Sequence, residues 1–198
     1  MLAEAGKKVC LVEGDLRKPR VSKYLGLIGS VGLSSVLAGQ ADLDDVLQVT
    51  SNADLTVLAS GPIPPNPSEL LGTDTAHAVF ADLRRRFDYV IIDASPLLPV
   101  TDAAVLSALA DGALVIARHG STKREQLSRA VGNLHSVGAT ILGTVITMTP
   151  LNGRGVYEYK YYYDSDPVVA DVAAESSVGA RALSEVRARR RSTERVKY

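Results

Sequence analysis

Short runs of continuously apolar residues recur over the first 150 positions and alternate with segments of helical periodicity. The runs are rich in Val, Ile and Leu, and uninterrupted apolarity is what parallel strands need when both faces of their sheet are covered. The runs therefore predict five buried strands, at residues 8–13, 55–59, 89–93, 113–118 and 141–147.

The segments between these runs place their apolar side chains on one helical face, which predicts helices at residues 73–86, 102–109 and 123–137. Strands that alternate with helices form βαβ units, so the chain is predicted to be an α/β protein with a mostly parallel sheet. Ligands of such sheets bind at the carboxyl ends of the strands. The residues that end each predicted strand are therefore the first candidates for a functional site.

The first strand ends in two acids, Glu13 and Asp15, which are separated by one glycine. Carboxylates at a strand end suit Mg²⁺, which takes one or two protein carboxylates and keeps several waters. A strand-end aspartate also often does no more than cap a turn. Both interpretations of Asp15 stay open from the residues alone.

A second predicted strand also ends in an acid, since Asp93 directly follows the apolar run Tyr89-Val90-Ile91-Ile92. This is the pattern of a Walker B strand, whose carboxylate holds Mg²⁺ directly or through water. Many parallel strands end in aspartate, so one match is weak evidence. Two acid-tipped strands in one chain make a shared magnesium site the stronger interpretation.

Composition limits the remaining classes of function. The single cysteine, Cys10, lies in an apolar run and is predicted to be a buried core residue, so the chain can form no internal disulfide and fits a reducing, cytoplasmic compartment. The three histidines are scattered and have no cysteine partners, which argues against a zinc site. No run of 18 uncharged apolar residues suggests a membrane span.

The periodic pattern decays after residue 150, so residues 1–150 are expected to form the folded domain and 151–198 a flexible tail. The tail contains five tyrosines within seven residues, followed by a basic end. Residues 181–198 hold seven basic and two acidic residues although the whole chain is formally neutral. This end is either a solvated charged helix or a weak contact with an anionic inner-membrane surface; the acidic body argues against nucleic acid.

Five segments, at residues 3–9, 15–20, 32–39, 61–71 and 89–96, closely resemble bacterial tyrosine autokinases of capsule and exopolysaccharide assembly. The stretch Pro-Pro-Asn-Pro-Ser-Glu-Leu-Leu at 64–71 is particularly specific. The resemblance extends from the first residues to about residue 149. It implies a P-loop-type three-layer α/β/α fold related to the partition and division-site ATPases and unrelated to eukaryotic protein kinases.

The resemblance also implies roles for individual residues. Glu13 and Asp15 stand at the two acidic positions of the Walker A′ motif, Arg17 at its basic position, and Asp93 at the Walker B acid. The expected cofactors are ATP and Mg²⁺, with the three acids as metal ligands and Asp15, Asp93 and Arg17 as the catalytic set. Thr147 stands where relatives commonly place an asparagine that contacts adenine.

In such kinases the phosphate acceptors are tyrosines of the C-terminal cluster, reached from a neighbouring subunit of a ring. The corresponding residues here are Tyr157, Tyr159, Tyr161, Tyr162 and Tyr163. Each phosphate adds roughly −1.5 to −2 charge, and the resulting repulsion could loosen the ring. The expected partner is a membrane polysaccharide co-polymerase that activates the kinase at the inner face of the plasma membrane. The alternative is a low-complexity tail without a defined role.

One departure from the family affects every expectation about activity: the chain contains no Gly-x-x-x-x-Gly-Lys-Ser/Thr loop. The resemblance places this Walker A loop and its strand before Met1, and places that strand between those ending at Glu13 and Asp93, which would leave a gap there. A late start, a fragment or a degenerate copy would each explain the absence, and truncation is the preferred explanation. The functional alternatives are a non-catalytic phosphoacceptor or regulatory partner of such a kinase, and a partition-type ATPase.

Overall fold

The computed structural model describes residues 1–150; the tyrosine cluster and the basic end lie outside the described residues. Residues 1–150 form six strands and seven helices. In chain order these are β1 (Val9–Glu13), α1 (Val21–Leu25), α2 (Leu33–Leu37), α3 (Leu43–Val46), β2 (Leu47–Val49), β3 (Leu55–Leu58), α4 (Pro67–Leu71), α5 (Asp74–Arg86), β4 (Tyr89–Asp93), α6 (Asp102–Leu109), β5 (Ala113–Arg118), α7 (Arg124–Ser136) and β6 (Ile141–Thr147).

All five predicted strands and all three predicted helices are present, with bounds that differ by at most one residue. The sequence missed the short elements between β1 and β3, namely α1, α2, α3 and β2. Each of these helices has only four or five residues, too few to repeat an apolar face. Hydrophobic periodicity therefore detects the long elements and passes over single helical turns.

The strand pairing is mostly parallel, as predicted, but the strands of residues 1–150 form two sheets. One sheet has four strands in the order β2-β3-β1-β4, and the other consists of β5 and β6. β1 runs parallel to β3 and β4, whereas β2 is antiparallel to β3. β5 and β6 are also parallel, so that their carboxyl ends meet where Arg118 lies opposite Thr147.

The strands that end at Glu13 and Asp93 are direct neighbours. β1 and β4 pair over five positions, from Val9 opposite Tyr89 to Glu13 opposite Asp93. The expectation of another strand between them, with a gap in its absence, is therefore wrong. The facing backbone donors and acceptors of β1 and β4 bind one another along the whole of both strands, so no strand lies between them.

β4 is the outer strand of its sheet and has one edge without a strand partner in residues 1–150. Its Tyr89 and Ile91 side chains are 46% and 45% exposed, and Leu114 and Ile116 of β5 are 59% and 61% exposed. The prediction that these two strands are fully buried is therefore wrong for the described residues. Exposed apolar side chains beside an open strand edge are typical of a surface that another element covers.

The core lies between β1, β3 and the helices that follow them. Cys10 and Val12 of β1, Leu58 of β3 and Leu83 of α5 are buried without exposure and belong to one hydrophobic cluster. Cys10 is thus the core residue that the sequence predicted, and burial raises the pKa of its thiol to about 12. The thiol is therefore protonated and unreactive at neutral pH.

Gly32 allows the chain that enters α2 to touch the end of β3. Its backbone forms a bridge with Ser60, and the amide of Leu33 donates to the carbonyl of Ala59 at 2.7 Å. A Cβ on Gly32 would lie 2.1 Å from that carbonyl oxygen. Glycine is required here because two backbone segments approach too closely for a side chain.

We expect Gly32→Ala to lower the free energy of unfolding by about 2 kcal/mol, because the methyl group must push the two backbone segments apart. The matched control is Gly132→Ala within α7, where an added Cβ meets nothing within 4 Å. That change should raise the free energy of unfolding by about 1 kcal/mol, since alanine favours helix over glycine. Urea unfolding followed by circular dichroism measures both, and an unchanged midpoint for Gly32→Ala would contradict the packing account.

Candidate functional site

The carboxyl ends of β1 and β4 bring the predicted acids to one edge of the sheet. Beyond the Glu13–Asp93 pair, the amide of Gly14 donates to the carbonyl of Asp93 at 2.8 Å. A Cβ on Gly14 would lie 2.8 Å from Ile92 Cγ2 and 2.9 Å from Leu106 Cδ1. The glycine between the two A′ acids therefore lets this loop lie directly against β4 and α6.

Asp15 forms the turn that leaves β1. Its Oδ1 accepts hydrogen bonds from the amides of Arg17 at 3.1 Å and Lys18 at 3.0 Å. The turn-capping interpretation of Asp15 therefore holds, and it is compatible with metal binding. Among residues 1–150, no hydrogen bond engages the second oxygen of Asp15 or the carboxylate of Asp93.

Asp93 carries the electrostatic signature of the site. Partial desolvation raises the pKa of its carboxyl group, and the negative charges of Asp15 and Glu13 raise it further. Asp15 and Glu13 are thus close enough to Asp93 to repel its charged form. A divalent cation at this edge would relieve that repulsion.

Glu13 is placed differently from the expectation that it binds metal. Its side chain is fully buried. Its Oε1 accepts from the amide of Val21, and Oε2 accepts from the amide of Ser60 at 3.1 Å. Because each oxygen accepts from a backbone amide, Glu13 joins the loops after β1 and β3; its role as a metal ligand stays a prediction.

Arg17 is bound to an acid that the sequence analysis did not select, Asp102. Arg17 Nε donates to Asp102 Oδ2 at 2.7 Å, and Arg17 Nη2 donates to Asp102 Oδ1 at 3.0 Å. The Asp102 side chain has no exposure, whereas that of Arg17 is 39% exposed. The hydrogen bond from Arg17, together with its charge, lowers the pKa of the Asp102 carboxyl group although burial opposes this.

Ser68 completes this cluster. Its hydroxyl donates to Asp102 Oδ1 at 2.6 Å and accepts from Arg17 Nη2 at 3.3 Å. Ser68 belongs to the proline-rich segment that carried the sequence resemblance, and Asp102 is the first residue of α6. Acidic residues are common in the first turn of helices, so the sequence gives no sign that Asp102 has a particular partner. Only the fold shows that it binds Arg17 and Ser68.

The described residues fit a magnesium ion that is shared with phosphate oxygens. In residues 1–150 there is no group of three or more His, Cys, Asp or Glu side chains that could hold a metal alone. Mg²⁺ does not need one, since it usually binds one or two carboxylates together with waters and substrate phosphates. Asp15 and Asp93 stay the predicted pair, and Ser95 Oγ, two residues after Asp93, is buried without a hydrogen-bond partner in the described part of the chain.

The other predicted site residues are not joined to this cluster. Thr147 ends β6, where its hydroxyl donates to the carbonyl of Ala117 at 3.4 Å and its carbonyl accepts from His119 at 2.9 Å. It belongs to the β5–β6 pair, so its expected contact with a base stays a prediction. The acceptor tyrosines, Tyr157 to Tyr163, lie outside the described residues.

We expect Glu13→Gln to lower the free energy of unfolding by about 2 kcal/mol, because glutamine has one acceptor oxygen for two buried amide donors. The control Glu4→Gln changes a carboxylate that is 73% exposed and should leave the midpoint of unfolding nearly unchanged, because solvent screens an exposed charge. Denaturant unfolding measures both changes. Wild-type stability of Glu13→Gln would show that the two backbone hydrogen bonds do not hold the loops.

We expect Asp93→Asn to raise the melting temperature at pH 7 by roughly 2 °C when EDTA is present. A raised pKa means that the charged form is disfavoured in the folded state, so the carboxylate lowers stability above that pKa and ceases to do so as the pH falls through it. Solvent screening keeps the effect small, because the side chain is exposed.

Calorimetry between pH 3 and pH 7 tests this sign. The difference between Asp93→Asn and wild type should shrink towards pH 3. An equal or lower melting temperature of Asp93→Asn throughout the range would contradict the repulsion of Asp93 by Asp15 and Glu13.

Comparison with known proteins supplies the context for this geometry. The chain is 37% identical over 166 residues to the tyrosine-protein kinase YwqD of Bacillus subtilis (strain 168), covering 84% of this chain and 69% of that relative. It is 31% identical over 164 residues to the putative tyrosine-protein kinase CapB of Staphylococcus aureus, covering 83% of this chain and 71% of CapB. No protein-family model matches the chain.

Solved structures agree with these relatives. The crystal structure of the chimerical protein CapA2B2 superposes with a TM-score of 0.72 at 34% identity, covering 75% of this chain and 66% of that one. The cell division ATPase MinD of Pyrococcus furiosus superposes with a TM-score of 0.60 at 26% identity, covering 73% and 61% of the two chains. None of the helices in residues 1–150 has the length and hydrophobicity needed to cross a membrane.

The sequence identity to these kinases, the share of each chain that is covered and the common fold lead to one conclusion. The chain belongs to the bacterial tyrosine-protein kinases, whose α/β fold it shares with the MinD ATPase.

Proposed function

We propose that this chain is the catalytic domain of an ATP-dependent tyrosine autokinase that regulates the synthesis and export of capsular or other exopolysaccharide. The observation that carries the proposal is that Glu13 and Asp93 lie directly opposite each other in the parallel β1–β4 pair. The proposed A′ and Walker B strands therefore end side by side. The kinase names of the relatives support the reaction type. Phosphoryl transfer depends mainly on positioning and charge neutralisation, which such a pair of strand ends can provide.

Each site residue has a defined task in this proposal. Asp15 and Asp93 would hold Mg²⁺, which would supply positive charge to the phosphate oxygens of ATP. Asp15 would also accept the proton that the tyrosine hydroxyl loses as its oxygen bonds to the terminal phosphorus and ADP leaves. Glu13 is assigned a structural task, since both of its oxygens bind backbone amides. Thr147 is proposed to lie near the base.

The phosphates also need a binding loop, which the 198 residues do not contain as Gly-x-x-x-x-Gly-Lys-Ser/Thr. We propose that a further parallel strand and its loop complete the domain at the free edge of β4. The open backbone edge and the exposed Ile91 side chain support this location. Backbone amides of such a loop would cradle the phosphates beside Asp93.

The acceptors in this proposal are the tyrosines of a neighbouring subunit, drawn from Tyr157, Tyr159, Tyr161, Tyr162 and Tyr163. A membrane polysaccharide co-polymerase is the proposed activator, and the kinase would work at the cytoplasmic face of the plasma membrane. The basic end, residues 181–198, is proposed to add a weak contact with anionic lipid. Nucleic acid is not a proposed partner.

A second candidate function is that of a non-catalytic phosphoacceptor for a related kinase. The five clustered tyrosines favour it. A partition-type ATPase is less well supported, because the relatives at 37% and 31% identity carry the names of kinases, while the MinD structure matches at 26%.

A chimera tests the kinase proposal. A strand and a Gly-x-x-x-x-Gly-Lys-Ser/Thr loop are fused ahead of Met1, and the protein is incubated with Mg²⁺ and labelled ATP. We expect phosphate on the clustered tyrosines, and a loss of at least about 100-fold in rate when Asp93 becomes Asn, because charge stabilisation of this kind is worth several kcal/mol. Mass spectrometry locates the phosphates, and Asp42→Asn is the matched acidic control.

The unfused chain separates the two candidates. Supplied alone, it should show little labelling, whereas an added active kinase of the family should label it if it is a phosphoacceptor. A chimera whose labelling survives both Asp15→Asn and Asp93→Asn would refute the proposed magnesium site.

A further inference from the structure

Asp102 has no task in the proposed function. Its side chain is fully buried, and it forms an ion pair with Arg17 of the loop that follows β1. We propose that Asp102 is a positioning residue of the kinase site, which acts through Arg17 to hold Asp15 in its metal-binding orientation. This inference rests on the proposed function and deepens it. It concerns geometry, since Asp102 itself touches neither metal nor nucleotide in this account.

Arg17 provides the mechanical link. Its amide donates to Asp15 Oδ1, and its guanidinium group makes two hydrogen bonds to Asp102. The planar fork of arginine matches a carboxylate in one orientation, so the pair fixes the direction of the side chain as well as its position. A residue bound at both its backbone and its side chain cannot move without disturbing the turn at Asp15.

Asp102 is itself held firmly. It starts α6, where an acid is favoured by the unsatisfied amides of the first helical turn. Leu106, one turn later, lies against Gly14, so α6 packs on the same loop that Asp102 anchors. Ser68 of α4 donates to the same carboxylate. The loop after β1 is therefore attached to two helices at one point.

Burial of the Asp102 carboxylate argues for a task beyond stability, although its partner Arg17 is 39% exposed. A carboxylate buried in an ion pair is often replaceable by an apolar residue without loss of stability, because desolvation of the charge opposes the attraction. Hydrogen-bond partners behind a metal ligand, by contrast, commonly change metal affinity 10–100-fold when they are removed. An ion pair that serves only packing would change the melting temperature and leave the affinity for metal untouched.

The experiment uses the 198-residue chain with Mn²⁺ as a paramagnetic probe in place of Mg²⁺, together with a non-hydrolysable ATP analogue that supplies the phosphate oxygens such an ion shares. NMR follows the amides of residues 14–18 and 93–95, together with the Nε–H signal of Arg17. We expect Asp102→Asn to release the Arg17 Nε–H to fast solvent exchange, to shift the amides of Arg17 and Lys18, and to weaken Mn²⁺ binding about tenfold.

A double-mutant cycle tests the path through Arg17. Asp102→Asn should have no further effect on Mn²⁺ affinity in an Arg17→Ala background if Asp102 acts only through that side chain. The control Asp82→Asn removes exposed ion pairs with Arg85 and Arg86 on α5 and should leave Mn²⁺ affinity unchanged. Ser68→Ala, which keeps the Arg17 pair, should weaken binding less than Asp102→Asn and serves as the second variant if Asp102→Asn does not fold.

The outcomes separate this inference from the function on which it rests. Asp15→Asn and Asp93→Asn should each weaken Mn²⁺ binding; if neither does, or if wild type binds no Mn²⁺ at these amides, both the magnesium site and the positioning task are refuted. If both acids matter but Asp102→Asn and Ser68→Ala leave the affinity unchanged, the positioning task alone is overturned.

Discussion

The parallel hydrogen bonding of β1 with β4 sets the distances on which the rest of the site depends. Because Glu13 and Asp93 lie opposite each other, the loops that follow both strands begin at the same height in the sheet. Side chains alternate between the faces of a strand, so a slip of one residue would move Asp93 to the opposite face. The continuous register over β1 and β4 excludes that slip and keeps the acids together.

This pairing concentrates negative charge that the protein neutralises unevenly. Glu13 gives both oxygens to backbone amides, and Asp15 gives one oxygen to its own turn. Arg17, the nearest cation in the sequence, is bound to Asp102. Within residues 1–150, Asp93 is therefore repelled by other acids without a compensating side-chain cation, and the pKa of its carboxyl group is raised. Such an arrangement is suited to a ligand that brings its own positive charge.

The sequence predicted which residues end the strands but not which side chains remain available. Glu13 has the position of a metal ligand, and its burial depends on amides 8 and 47 residues further along the chain. The pair of Arg17 with Asp102 spans 85 residues and has no local signature. Apolar runs are local and visible in one sequence, whereas hydrogen-bond partners follow from the fold. That β1 and β4 are neighbours also follows only from the fold, since the order of strands in a sheet need not follow their order in the chain.

The free edge of β4 and the acid at its tip are features of the same strand, which limits where a phosphate-binding loop can approach. On the other side of β4 the sheet continues through β1 and β3 to β2. A parallel strand added to the free edge would end at the same height as β4, since parallel strands share their carboxyl edge. The loop after it would then emerge beside Asp93 and opposite Asp15. An antiparallel strand would cover the exposed Ile91 equally well but would place its closing loop at the far end of the sheet. Strand direction, more than apolar burial, therefore decides whether completion of the sheet also completes the site.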